Sequence, residues 1–137
     1  MAEYAPTPSD TPFTRIGGEA AVRALVERFY DGMESLEPEL AALHERDAEG
    51  HVSRAARDRF ALFLIGWLGG PQDYVALHGH PRLRMRHAHV RVDVAMRDAW
   101  LRCMKSALDE CGVEPAVRAF LEARFAEVAD FMRNVKE

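Results

Sequence analysis

The stretch "HGHPRLRMRHAHVRV", His78 to Val92, holds four of the chain's six histidines among four arginines, Arg82, Arg84, Arg86 and Arg91, with no acidic residue between Asp73 and Asp93. It reads as a loop with one or two short helical turns after Pro81. The segments on either side of it decide the fold, because both have strong helical period.

On the C-terminal side, Met96, Ala99, Trp100, Cys103, Met104, Ala107, Leu108 and Cys111 form one apolar stripe before Gly112 breaks it. Pro115 suits the first turn of a last helix, whose face is Val117, Phe120, Leu121, Phe125, Val128 and Met132. On the N-terminal side, Ala56, Phe60, Phe63, Leu64, Trp67 and Leu68 give a helix that starts after Ser53 and stops at Gly69-Gly70-Pro71. An earlier helix begins at Glu19, carries Val22, Leu25, Val26, Phe29, Tyr30 and Met33 on one face, and ends near Gly32 to Ser35. No segment alternates as a strand does, so the expected fold is all-α with four substantial helices. Residues 1–12, with Pro6, Pro8 and Pro12, are expected to form a flexible arm before a single domain over residues 13–137.

With 137 residues, 48% of them hydrophobic, the chain can bury one real core. The formal charge is −4, which gives no reason to expect a nucleic acid or an anionic membrane as partner. The charge is uneven, however. Residues 78–92 carry +4, so the rest of the chain has 14 basic against 22 acidic residues, or −8. The N-terminus lacks both a basic start and an apolar segment, and no run of apolar residues is long enough to span a bilayer, so a cytoplasmic location is expected. Cys103 and Cys111, eight apart on one helix, lie roughly 12 Å from each other, too far for a disulfide. They are expected to be small core residues.

A cluster of imidazoles suggests a metal, and a cluster of guanidiniums suggests an anion. A bare divalent ion fits poorly. If residues 82–89 are helical, His87 and His89 point about 200° apart, and four arginines with no acidic ligand oppose a dication. A haem satisfies both halves of the pattern, since its iron takes an imidazole and its propionates take cations. With His87 as ligand, Leu83 at i−4 and Arg84 at i−3 lie on the ligand's side of a helix, the one under a porphyrin and the other within reach of a propionate. Tyr30 and Trp100, polar-tipped aromatics on apolar faces, are either donors into such a pocket or core rings bonded to backbone carbonyls.

Taken together, "IGGEAAV" (16–22), "RFYDGM" (28–33), "WLGGPQDY" (67–74), "GHPRLRMRH" (79–87) and "RDAWLRCM" (97–104) resemble the truncated haemoglobins of the second group, over about residues 13–131. The resemblance implies a two-over-two helical sandwich with an extended loop before a short proximal helix. It also implies haem b as cofactor and O2 and other diatomic gases (CO, NO) as ligands. Carried over residue by residue, it makes His87 the proximal iron ligand and Tyr30 and Trp100 the distal donors. Phe60 and Ala56 become distal residues of the second long helix, and Tyr74, Arg84 and Arg86, with Leu83 beneath, the haem edge.

Two positions depart from the family pattern. His44 stands where many relatives have phenylalanine or tyrosine, and it is either a third polar group of the distal pocket or a partly exposed residue at a helix junction. After His87 the chain reads "AHVRV" where the family often has an apolar, proline-containing run. His78, His80 and His89 are expected to be bystanders.

Two distal donors favour slow ligand release, which suits storage or redox chemistry, such as nitric oxide dioxygenation or peroxidase-like turnover, better than fast oxygen carriage. A reductase would be the partner for such turnover. The sequence leaves open a monomer or a homodimer, and also water, hydroxide or His44 as the resting sixth ligand. Readings of other classes are a haem-based sensor and a haem-free helical module that holds an anionic partner through its basic loop.

Overall fold

The computed structural model describes residues 3–136, so residues 1 and 2 of the expected arm and residue 137 of the expected domain lie outside it. Eight helices follow one another: α1 (Pro12–Ile16), α2 (Glu19–Leu36), α3 (Pro38–Ala41), α4 (Arg54–Trp67), α5 (Asp73–His78), α6 (Leu83–Arg86), α7 (Val94–Glu110) and α8 (Pro115–Phe131). The four long ones are those expected. Among the described residues the only β pairings are isolated bridges, Thr7 with Asp10 and Arg46 with Val52. One of the short turns, α5, precedes Pro81 rather than following it, and α1 and α3 were not anticipated.

Helix α2 is the centre of the sandwich. Its stripe Val22, Leu25, Val26, Phe29, Tyr30 and Met33 is wholly buried, packed on α4 on one side and on α7 on the other, while α7 in turn packs on α8. Burial of such side chains contributes about 1.5–3 kcal/mol each, far more than helix propensity can. The ends are set locally. Ser53 Oγ accepts from Ala56 N at 3.1 Å to start α4, and Asp93 Oδ1 accepts from Met96 N at 2.9 Å to start α7.

The glycine pair after α4 has a steric role. A Cβ on Gly69 would stand 2.9 Å from Thr11, and one on Gly70 2.6 Å from the Phe13 ring. These two glycines let α1 close onto the end of α4, where Phe13 N donates to Leu68 O at 2.9 Å. Residues 3–11 also touch the body of the fold: the Tyr4 ring meets Phe120 edge to face at 5.4 Å, and its hydroxyl donates to Asp10 O at 2.8 Å. Pro12, counted with the arm, opens α1.

Cys103 is buried as expected, and burial pushes its thiol up to about 11. Cys111 is exposed, against the expectation of a core residue, because α7 ends one residue before it.

Candidate functional site

Between α2, α4, α7, α8 and the segment 83–92 lies a cavity of about 560 Å³, within the range of small-molecule and cofactor sites. Nine of the ten residues singled out from the sequence line it: Tyr30, His44, Ala56, Phe60, Tyr74, Leu83, Arg86, His87 and Trp100.

One wall is the short helix α6 and the turn that caps it. Arg82, with φ 47°, is the only non-glycine residue at positive φ among those described, and it enters α6 from this left-handed conformation, which costs a side-chain-bearing residue roughly 1–2 kcal/mol. His80 Nδ1 accepts from Arg82 N at 3.1 Å and steadies the turn. His87 caps α6, and its Nδ1 lies 2.7 Å from Leu83 O. A carbonyl only accepts, so Nδ1 carries the proton and the lone pair is left on Nε2, the tautomer an iron ligand needs.

The opposite wall is aromatic. Tyr30 from α2 and Trp100 from α7 flank Phe29, whose ring lies 5.0 Å from one and 5.1 Å from the other. Phe60 from α4 meets both, at 5.8 and 6.4 Å. Neither the Tyr30 hydroxyl nor the Trp100 indole N–H has a hydrogen-bond partner among the described residues, so the core-aromatic alternative, with its backbone carbonyl, does not describe them. Burial drives the Tyr30 phenol well above its ordinary pKa, against the opposing pull of Arg57 and Arg59, and keeps it a proton donor.

His44 is half-buried on the same side. Its ring meets Tyr30 edge to face at 5.5 Å, and its Nδ1 lies 3.0 Å from Leu40 O, which again leaves Nε2 free. Burial lowers its pKa, the charge of His87 lowers it further, and the carbonyls of Leu40 and Ala41 resist. It is thus both a partly exposed residue in the turn after α3 and a lining residue of the cavity.

The mouth is basic. Among the described residues Arg59 and Arg86, which line it, form no ion pair, whereas most arginines do, and Tyr74 lies buried beside them with its ring 5.5 Å from Phe63. Among the described residues no group of three or more His, Cys, Asp or Glu stands together as an ion site.

A family model for bacterial-like globins matches residues 11–134. A group 2 truncated hemoglobin of Bacillus subtilis is 38% identical over 128 residues, 93% of this chain and 92% of that protein. The chain belongs to the group II truncated haemoglobins. Solved structures agree with this. A cold-adapted truncated hemoglobin from Pseudoalteromonas haloplanktis superposes with a TM-score of 0.85 at 39% identity, over 92% of this chain and 99% of that one. A group II 2-on-2 hemoglobin from Agrobacterium tumefaciens does so with a TM-score of 0.83 at 36% identity, over 99% and 100%.

In this globin Arg84 departs from its expected place. It does not line the cavity; its guanidinium lies 5.5 Å from the centre of the Phe131 ring on the outer side. The i−3 relation to His87 fails because α6 is only four residues long, so a full helical face never forms, and Phe131 captures the side chain. His89, expected to be a bystander, lines the cavity, while the His78 ring lies tilted against Tyr74 with centroids 4.9 Å apart. Arg59 was missed. Its position three residues after Ala56 and next to Phe60 is the signal that could have revealed it, but a lone arginine on a helix otherwise reads as a solvated face.

Proposed function

We propose that this globin holds haem b in the cavity, with His87 on the iron and Tyr30 and Trp100 over the other face, and that it binds O2, CO and NO. Haem held here would supply an iron able to bind an imidazole and a diatomic gas. The residues present fit the group. His87 offers a free Nε2 because Nδ1 is occupied by Leu83 O, Leu83 would give a porphyrin an apolar bed, and Arg59 and Arg86 lack carboxylate partners among the described residues, so two propionates would meet two guanidiniums without a counter-ion. Tyr74 stands near the same edge.

The observation that carries the reading is the pair of aromatic donors, buried Tyr30 and partly buried Trp100, with no acceptor among the described residues. Both Tyr30 and Trp100 line a pocket that His87 also lines, where a donor shielded from water gains from an acceptor. A diatomic ligand held in this pocket would offer the acceptor they lack. Ala56 offers no hydrogen bond and leaves space beside Phe60 as an access route. Strong retention of ligand suits storage or redox chemistry, including nitric oxide dioxygenation, with electrons from a separate reductase. No described helix is long and apolar enough to cross a membrane.

The test is optical. The purified full chain shows a Soret band, and His87→Gly loses it or retains haem only with added imidazole. Unchanged haem ligation in His87→Gly removes the assignment.

A further inference from the structure

The loop from His87 to Val92 is neither helix nor strand, so its backbone polar groups need partners outside any regular ladder. Two are met locally, with Ala88 N donating to Met85 O at 3.2 Å and Val90 N to His87 O at 3.0 Å. Three others, Val90 O, Val92 N and Val92 O, are met by one residue from the far end of the chain. Asn134, just past α8, accepts at Oδ1 from Val92 N at 2.8 Å and donates its own N–H to Val92 O at 3.0 Å. Its Nδ2 donates to Val90 O at 2.7 Å and reaches His87 O at 3.4 Å. An amide side chain has the inventory this needs, one acceptor and two donors on a short stem. Aspartate accepts only, and alanine does neither.

We propose that Asn134 is a positioning residue for the proximal histidine, an inference that rests on His87 being the iron ligand. The imidazole has two restraints. Leu83 O fixes the rotation of the ring through Nδ1, and Asn134 fixes the backbone from which the ring hangs. Val128 and Met132 of the same α8 segment line the cavity, so the clamp and the pocket wall are continuous. The clamp also accounts for "AHVRV": a chain without a proline to stiffen this loop needs another restraint, and Asn134 provides it.

The experiment compares the full haem-loaded chain with Asn134→Ala and Asn134→Asp. Three quantities are read: the ferrous iron–histidine stretching band by resonance Raman, the rate of haem transfer to excess apomyoglobin, and amide hydrogen exchange at Val92. Asn134→Ala shifts and broadens the band, speeds haem loss on the order of tenfold as two or three hydrogen bonds disappear, and exposes the Val92 amide to exchange. Asn134→Asp keeps Val92 protected through Oδ1 yet still shifts the band, because it cannot donate to Val90 and His87. The C–O stretch of added carbon monoxide, which senses the distal donors, stays at its wild-type value in both variants, whereas general loosening of the fold would move it. An unchanged iron–histidine band in both variants overturns the proposal. A wild-type protein with no such band overturns the ligand assignment and the clamp's role with it, and Val92 exchange, which needs no iron, tells the two failures apart.

Discussion

The Arg57 guanidinium lies 5.6 Å from the centre of the Tyr30 ring. Arg57 is a buried charge, and every arm of it is occupied: Nε donates to Val52 O at 3.0 Å, Nη1 to Asp31 at 2.8 Å and more distantly to Glu27, and Nη2 to Glu34 at 2.9 Å. Glu34 in turn accepts from Val52 N at 2.6 Å and from His51. One cation thus ties α4 and the loop before it to three carboxylates of α2, directly behind Tyr30.

Removing that cation leaves carboxylates clustered without their partner. Arg57→Met is expected to cost about 2–3 kcal/mol, at or just below the range for breaking a fully buried pair because Glu27 and Asp31 are partly solvated, and so to lower the thermal midpoint by roughly 10 °C. Thermal unfolding followed by circular dichroism checks it. A midpoint within two or three degrees of wild type, on the order of 1 kcal/mol or less, shows that the network contributes little.

The distal donors give a kinetic prediction. Each hydrogen bond to a partly charged ligand contributes on the order of 1 kcal/mol or somewhat more in a dry pocket, so Tyr30→Phe and Trp100→Phe are each expected to speed O2 dissociation up to roughly tenfold, with the association rate changed less. Stopped-flow displacement of O2 by CO measures both. Equal dissociation rates in wild type and both variants would take these residues out of ligand retention.

What the sequence made legible was whatever depends on local period. The Val22-to-Met33 stripe predicts its own burial because a 3.6-residue repeat needs no knowledge of the partner helix, and the same holds for Cys103, Met104, Ala107 and Leu108 on α7. Legibility fails where a distant residue decides. Arg84 is turned outward by Phe131, and the proximal loop is held by Asn134, both from the C-terminal end of the chain. Tyr4 looks like part of a proline-rich arm until Phe120 is brought beside it. Cys111 shares the stripe of Cys103, yet one residue of helix separates buried from exposed.

That outward turn of Arg84 separates two sets of arginines. With Arg59 and Arg86 at the mouth and Arg84 on Phe131, Arg59→Ala and Arg86→Ala are expected to speed haem loss while Arg84→Ala leaves it near wild type. The side chains are exposed, so the ion pairs are worth at most about 1 kcal/mol, no more than roughly fivefold in rate, and added salt shrinks the effect. Haem transfer to apomyoglobin at low and high ionic strength is the measurement. Acceleration by Arg84→Ala alone would reverse the placement.

Acid should loosen the proximal side through Asp93, which caps α7 one residue after the Asn134 clamp. The Met96 amide holds this carboxyl below the usual range, and Arg91 adds to the effect while partial burial opposes it. A folded-state pKa that is depressed means stability present above the unfolded carboxylate value, about 3.9, and lost as pH falls through the lower folded value. Asn at this position still accepts from Met96 N but carries no charge. Wild type is therefore expected to melt above Asp93→Asn at pH 7, with the gap closing as the pH falls below about 4. Paired melting curves across that range decide it, and a gap that stays constant with pH would mean that the hydrogen-bond geometry at Asp93, and not its charge, holds the start of α7.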